Sequence, residues 1–91
     1  MDNYAGLPEG LQGGMKRYVE DGIQAGHFLT AVLSNDLLGA VSRADSINIK
    51  LIPDVVRWIY NEAPINSNGS EVKVQRWISK GYRSIKKYKV Q

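Results

Sequence analysis

The stretch that decides the fold is GHFLTAVLSNDLLGAVSRADS, residues 26–46. Its apolar residues recur three or four positions apart, the spacing that places side chains on one face of an α-helix. They are Phe28, Leu29, Val32, Leu33, Leu37, Ala40, Val41 and Ala44. The face is wider than a coiled-coil seam. The pattern therefore predicts one helix, from about His27 to Arg43, that is central in the fold and packed on more than one side.

Two polar residues, Asn35 and Asp36, lie in the middle of this predicted helix. Asn and Asp are poor helix formers because their side chains compete for backbone hydrogen bonds. Asp36 shares a face with Val32 and Ala40, so it borders the apolar stripe. Three interpretations stay open: a solvated helix edge, a structural polar network that includes, for example, Arg57, or a contact with a ligand or partner. Both residues are therefore candidate partner-binding residues.

Two further amphipathic segments flank the central one. LPEGLQGGMKRYVEDG, residues 7–22, carries an apolar stripe that predicts a first helix, and a turn around Gly22 ends it. INSNGS, residues 65–70, has the composition of a turn, and Ser70 is a suitable N-cap. Residues 71–85 then return to helical apolar spacing and predict the last helix.

Pro53 complicates the third helical segment, SINIKLIPDVVRWIYNEAP, residues 46–64. Proline lacks a backbone N–H and clashes with the preceding helical turn. Either one helix kinks near Pro53, or a short turn precedes a helix that has Pro53 in its first turn. The apolar stripe crosses the proline in phase, which favours the kinked helix. Asp45 and Ser46 suit its N-cap region.

These segments predict an all-α protein, a compact single-domain bundle of about four helices with a kink near Pro53. The domain covers residues 1–91, with residues 1–6 loose and residues 86–91 frayed. A β fold is disfavoured. INIKLI, residues 47–52, alternates as a strand would, but one or two isolated strands would have no sheet to join.

Composition narrows the chemistry. The chain has no cysteine, which excludes disulfides and thiolate zinc sites, and its one histidine, His27, excludes a multi-histidine metal site. Histidine is a common general base in enzymes, so His27 could act as one, but no motif places a nucleophile beside it. No phosphate-binding loop or dinucleotide fingerprint is present. We therefore expect no metal, no cofactor and no enzymatic activity.

Charge is divided unevenly along the chain. Residues 1–69 hold five Lys/Arg against eight Asp/Glu, whereas residues 70–91 hold seven against one. The body is thus mildly acidic and the end basic, a division that favours self-association or an anionic partner. No apolar run approaches the ~20 residues that span a bilayer, and the first residues lack the order of a signal peptide. We expect a cytoplasmic protein.

Two aromatic residues, Trp58 and Tyr60, flank Ile59 in the third segment. On a helix, side chains two positions apart point ~200° apart, so both cannot face one core. At least one of them must lie at the surface or in an interface, where aromatic residues are enriched. Trp58 and Tyr60 are therefore candidate residues for binding a partner protein or a second copy of the chain.

The basic end, KVQRWISKGYRSIKKYKV, interleaves cations with aromatic residues. This composition is typical of a surface that contacts phosphates, and equally of an amphipathic helix with a solvated basic face. Trp77 and Tyr82 fall on the apolar stripe, which favours the second interpretation for them. The candidate residues for anion or nucleic-acid binding are Lys73, Arg76, Lys80, Arg83, Lys86 and Lys87.

Four stretches resemble a known group of proteins: GGMKRYVEDGI, FLTAVLSNDLLGAVSRAD, YNEAP and NGSEVKVQRWI. Together they are similar to small uncharacterised accessory proteins encoded by tailed phages and prophages, over residues 8–79. The resemblance implies a phage protein made in a bacterial host. By analogy with small phage proteins, it would bind a host or phage protein and could inhibit a defence system. It assigns no functional residues. The alternative function is a small module that binds nucleic acid or nucleotides through the basic last helix.

Overall fold

The computed structural model describes the backbone of residues 3–90 and the side chains of residues 3–80. Over this range every regular element is a helix, which confirms the all-α prediction. The elements are α1 (Glu9–Asp21), α2 (His27–Leu33), α3 (Leu37–Arg43), a 3₁₀ turn (Asn48–Leu51), α4 (Ile52–Glu62) and α5 (Glu71–Val90). The described range holds five α-helices, whereas the sequence pattern predicted about four.

The additional helix arises because the segment predicted as one helix over 27–43 is broken. Asn35 has a φ of 61°, a left-handed conformation that cannot continue an α-helix. The Asp36 carboxylate then accepts a hydrogen bond from the Gly39 backbone N–H at 2.9 Å and caps α3. The prediction of a continuous helix was wrong because these two polar residues satisfy backbone groups locally.

The kink predicted near Pro53 is also absent from the described helices. α4 begins at Ile52 and has Pro53 in its first turn, where the missing N–H breaks no helical hydrogen bond. The 3₁₀ turn precedes it, and the Asp45 carboxylate accepts two backbone N–H groups at 3.0 and 2.7 Å as that turn begins. The alternative of a short turn followed by a helix is therefore correct.

α2 lies at the centre of the fold. It contacts α3, α4 and α5, which confirms that the segment after Gly26 is packed on more than one side. Four of its seven residues are buried: Phe28, Leu29, Ala31 and Leu33. α1 packs against α5, and the side chains most completely removed from water are Met15, Tyr18, Leu33, Val55, Val74 and Ser67.

Residues 3–6 pack against α4, which corrects the prediction of a loose N-terminus for this part of residues 1–6. Tyr4 is only 6% exposed and stacks on Trp58, with ring centroids 5.3 Å apart. The Trp58 indole N–H donates to the Asn3 carbonyl at 2.7 Å. The fraying predicted for residues 86–91 stays a prediction, since their side chains lie outside the described residues.

The loop between α4 and α5 is tied to the rest of the fold by Tyr18. Its buried hydroxyl donates to the Ser67 carbonyl at 2.6 Å, and burial raises the pKa of Tyr18 above its ordinary value. The Tyr18 carbonyl accepts the Trp77 indole N–H at 2.9 Å, and Gly69 N–H donates to the Leu33 carbonyl at 2.8 Å. The Tyr18 hydroxyl thus holds the loop against α1, and the Gly69 bond holds it against the end of α2.

Candidate functional site

A cleft of about 220 Å³ opens between α2 and α4. Residues from the end of α2, one side of α4 and the loop that follows α4 form its walls. They are Val32, Leu33, Asn35, Val56, Ile59, Tyr60, Asn68 and Gly69. Four of these are aliphatic and none is charged, so the cleft offers an apolar interior with polar groups from two asparagines and a tyrosine. We refer to it as the α2–α4 cleft.

Hydrogen bonds within the loop hold one wall of the α2–α4 cleft in place. The Asn68 side-chain amide donates to the Ser67 hydroxyl at 3.0 Å, and that hydroxyl donates to the Pro64 carbonyl at 2.6 Å. Ser67 is itself fixed by Tyr18 through the buried bond described above. The wall is therefore supported by the core, which lowers the cost of ordering it when a ligand binds.

Tyr60 and Asn35, two of the predicted partner-binding residues, line this same cleft. Tyr60 is 88% exposed, whereas Trp58, two positions earlier, is 3% exposed. The expectation that at least one of these aromatic residues lies at the surface is confirmed. Trp58 must be removed from the candidate binding residues, because its ring is buried against Tyr4 and its N–H is used by the backbone.

Asp36 does not join Asn35 in the cleft. It lines a second, more polar groove of about 390 Å³ with His27, Arg43 and Glu71, among other residues. The Asp36 carboxylate caps α3 through the Gly39 N–H. The structure therefore supports a capping role for Asp36 at a solvated edge. The bond to Arg57 considered from the sequence is not formed; Arg57 lies 3.5 Å from Asp54 instead.

Exposed apolar side chains are concentrated in one part of the described chain. Ten large hydrophobic residues are at least 43% exposed, and eight of them lie between Leu37 and Ile65. We call residues 37–65 the outer segment. Its exposed members are Leu37, Leu38, Val41, Ile47, Ile49, Val56, Tyr60 and Ile65. On α3 only Ala40 is buried, so Leu37 and Val41 do not belong to the core face that their spacing predicted.

The sequence analysis did not identify most of the cleft. Val56, Asn68 and Gly69 were not singled out as binding residues, although the Asn-Gly pair marked a turn. A signal for the break beside the cleft was present in the Asn35–Asp36 pair, because Asp is a preferred N-cap residue and Asn tolerates the left-handed conformation. Reading that capping pattern would have divided the helix at the correct place.

The basic candidates on α5 are described in part. Lys73, Arg76 and Lys80 are exposed, and none of them forms an ion pair with another described residue. Arg83, Lys86 and Lys87 lie on the helix but outside the residues whose side chains are described. The first half of α5 therefore presents three cations that are available to an anion.

Comparisons with protein-family models, with curated proteins and with solved structures find no match to this chain. Within residues 3–80, no group of three or more His, Cys, Asp or Glu side chains is placed to hold a metal ion. None of the helices in the described part is long and apolar enough to cross a bilayer. Function is therefore inferred from the cleft, the outer segment and the charges.

Proposed function

We propose that this chain is a non-enzymatic binding protein that contacts another protein through its outer segment. The observation that carries the proposal is the concentration of eight of the ten exposed large apolar residues between Leu37 and Ile65. Single exposed apolar residues are ordinary, but apolar patches on soluble proteins mark interaction surfaces, and Val56 and Tyr60 of this set share the α2–α4 cleft. The α2–α4 cleft adds a concave element to the same region.

Tyr60 is the residue of the outer segment best suited to anchor a partner. Its side chain is 88% exposed and its hydroxyl has no hydrogen-bond partner among the described residues. Tyrosine combines a large apolar ring with a polar tip, and it is enriched among the residues that dominate binding energy. The occupant we propose is a different protein, and a second copy of the chain is the competing occupant.

The resemblance to phage and prophage accessory proteins supports a more specific form of this proposal. The partner would be a host or phage protein in the cytoplasm of an infected or lysogenic bacterium. Binding would act by occupying that protein, and inhibition of a defence system is the purpose that such a mode of action suits best. These statements rest on the resemblance and on the exposed apolar surface together.

The test is affinity capture from a bacterial lysate with the tagged full chain. The double variant Leu37→Ser/Leu38→Ser removes two exposed leucines from the outer segment. The double variant Ile23→Ser/Val72→Ser is the matched control, because both residues are exposed but lie elsewhere. We expect the first variant to lose the captured protein and the control to retain it. Equal capture by both variants would contradict the proposal.

Light scattering of the purified chain separates the two occupants. A monomer that captures a protein supports the proposed partner. An oligomer that dissociates in the Leu37→Ser/Leu38→Ser variant would assign the outer segment to self-association instead. Because exposed leucines contribute little to folding, both variants should keep the helical circular dichroism of the parent chain.

Nucleic-acid binding through α5 is a second candidate, favoured by the exposed and unpaired Lys73, Arg76 and Lys80. Such binding would weaken steeply with salt, since cations on a protein displace counterions from phosphates. Retention on heparin or DNA tests it. The variant Lys73→Glu/Arg76→Glu should elute at lower salt, while Lys16→Glu/Arg17→Glu, the same change on exposed residues of α1, should not.

A further inference from the structure

We infer that the α2–α4 cleft binds an extended, uncharged stretch of polypeptide and takes one large apolar side chain between the two helices. The inference rests on the proposed function, because it names the chemistry of the partner segment that the outer segment would contact. It depends on four properties of the cleft: its volume, its lack of charge, its unpaired amide groups and its rigid wall.

The volume suits one side chain. Clefts that hold drug-sized molecules measure roughly 300–1,000 Å³, whereas an apolar cavity of ~150 Å³ already accepts benzene. At about 220 Å³, the α2–α4 cleft falls between these values. It therefore has room for a side chain such as leucine or phenylalanine but not for a larger ligand. Its aliphatic lining, with Val32 and Ile59, matches such a group.

The uncharged lining of the cleft disfavours ionic occupants. The chain has 21 charged Lys, Arg, Asp and Glu residues, yet none of them lines the cleft. A charged side chain that entered would lose hydration, and no lining residue would pair with it; the nearby ammonium of Lys73, beside Gly69, is exposed, and exposed ion pairs contribute little. A neutral side chain would gain from the aliphatic walls. The side chain of the partner that enters the cleft is therefore uncharged.

The polar groups of the cleft match a peptide backbone. The Asn35 side chain makes no hydrogen bond with any described residue, and Asn68 uses its amide N–H₂ within the loop, which leaves its Oδ1 without a partner there. Together they offer a donor and acceptors, as one peptide unit requires. A helical partner has already paired its backbone groups internally, so an extended segment fits better.

The cleft is also held in a fixed shape. The left-handed conformation of Asn35 is set by the junction of α2 and α3, where the Asp36 N–H donates to the Ala31 carbonyl at 2.8 Å. The bond from the Gly69 N–H to the Leu33 carbonyl joins the loop wall of the cleft to the end of α2. Because these groups need not be ordered on binding, even one inserted side chain and a few hydrogen bonds can give measurable affinity.

The test is an NMR titration of the full chain with blocked pentapeptides of sequence Ser-Thr-X-Thr-Ser, where X is Leu, Phe, Ala, Asp or Lys. Peptides with Leu or Phe should shift the backbone amide signals of Asn35 and Gly69 and saturate, with a Kd on the order of 1 mM. Peptides with Asp or Lys should bind at least about tenfold more weakly, because no lining residue compensates their charge and the nearby Lys73 ammonium is exposed to water.

Asn35→Gly is the decisive variant, because glycine keeps the left-handed backbone and removes only the amide. Asn66→Gly is the matched control, since Asn66 also has a positive φ, of 76°, and does not line the cleft. Asn35→Gly should weaken the Leu peptide by roughly three- to tenfold, the loss expected for one neutral hydrogen bond, and Asn66→Gly should not. Val56→Lys should abolish binding, while Val72→Lys, an exposed residue outside the cleft, should not.

Three results would overturn the inference: no saturable shift with any peptide, equal affinity for the Leu and Asp peptides, or equal weakening by the two Asn variants. Its failure differs from failure of the proposed function. If Val56→Lys still captures a lysate protein that Leu37→Ser/Leu38→Ser loses, the cleft inference is wrong and the proposed function stands. If the peptides bind but neither Val56→Lys nor Leu37→Ser/Leu38→Ser alters capture, the cleft inference stands and the proposed function is wrong.

Discussion

Tyr18 and Tyr60 are the same residue type in opposite regions of the molecule. Tyr18, on α1, is fully buried, and its hydroxyl donates to the Ser67 carbonyl at 2.6 Å. Tyr60 is 88% exposed at the edge of the α2–α4 cleft. The two tyrosines mark the difference between a buried core and a set of apolar side chains that face solvent. The α1–α5 side holds the chain together, and the outer segment presents apolar area that folding does not use.

The same contrast separates two short helices that are neighbours in the chain. α2 and α3 each have seven residues and similar apolar composition. α2 buries four of its residues, whereas α3 buries only Ala40. The difference follows from their positions, because α2 is enclosed by three other helices and α3 lies against α2. Apolar residues on α3 are therefore available to a partner.

The strongest way to break this comparison is to remove each tyrosine ring. Tyr18→Ala should lower the free energy of unfolding by about 3–5 kcal/mol, because it empties a core position and deletes a buried hydrogen bond. Tyr60→Ala should change it by no more than about 0.5 kcal/mol. Urea unfolding followed by circular dichroism measures both. Similar losses in the two variants would show that the regions are not separated.

A smaller effect sharpens the role of the Tyr18 hydroxyl. Tyr18→Phe leaves the Ser67 carbonyl without its buried donor and should cost about 1–3 kcal/mol near neutral pH. Burial raises the pKa of Tyr18, so the folded state keeps a proton that the unfolded state releases above about pH 10. The stability of the parent chain should therefore fall faster with rising pH than that of the variant.

The parent chain and Tyr18→Phe are compared by unfolding at neutral pH and at about pH 11. Their other titrating groups are the same, so only Tyr18 contributes to the difference. The difference in stability between the parent chain and Tyr18→Phe should narrow at the higher pH. If the stability difference between the two chains stays constant or widens, the neutral Tyr18 hydroxyl is not buried. A partially exposed hydroxyl would leave the difference constant.

Substitutions at the junction between α2 and α3 should change the free energy of unfolding by about 1 kcal/mol. Asp36→Ala removes the cap on α3 and should cost about that amount. Gly39→Ala would ordinarily gain about 1 kcal/mol in helix propensity, but the Asp36 carboxylate occupies the space that a Cβ at residue 39 requires. The gain should therefore appear only when Asp36 has been replaced.

A double-mutant cycle of Asp36→Ala and Gly39→Ala measures this dependence. The two substitutions should show a coupling on the order of 1 kcal/mol, with the double variant more stable than additivity predicts. Thermal unfolding of the four chains is sufficient. Strict additivity would mean that the carboxylate moves aside at no cost and that the cap is not held by its position over Gly39.

The smallest effect is expected on the exposed side of α3. Leu38 is 84% exposed, so Leu38→Lys should change the free energy of unfolding by no more than about 0.5 kcal/mol. Leu33→Ala, at a fully buried position of α2, should cost about 2–5 kcal/mol by comparison. A large loss in Leu38→Lys would place α3 within the core and remove the contrast with α2.

The sequence predicted the parts of the fold that depend on neighbouring residues. The all-helical class, the end of α1 at Gly22, which has a φ of 68°, and the hydrogen bonding of Asp45 follow from spacing and capping chemistry. The break at Asn35 was missed because apolar spacing continues across it. Without the break, Leu37 and Val41 are placed in the core, on the wrong side of the molecule.

The cleft and the burial of Trp58 could not be predicted from local pattern, since both depend on contacts that are distant in the chain. Trp58 is bonded to Asn3, 55 positions away, and Tyr18 to Ser67, 49 positions away. Periodicity places a side chain on a face of its own helix but does not state which element covers that face. Asn35 was identified because asparagine is a poor helix former, and Tyr60 because it and Trp58 cannot both face one core.

The chain carries two tryptophans, and each indole N–H is bonded to the backbone of a different segment. Trp58 is tied to Asn3 at the beginning of the described chain, and Trp77 to Tyr18 at the end of α1. Fluorescence from the two rings therefore reports on two separate docking events. With Trp58 or Trp77 replaced by phenylalanine in turn, release of the leading segment and separation of the first and last helices could be timed independently.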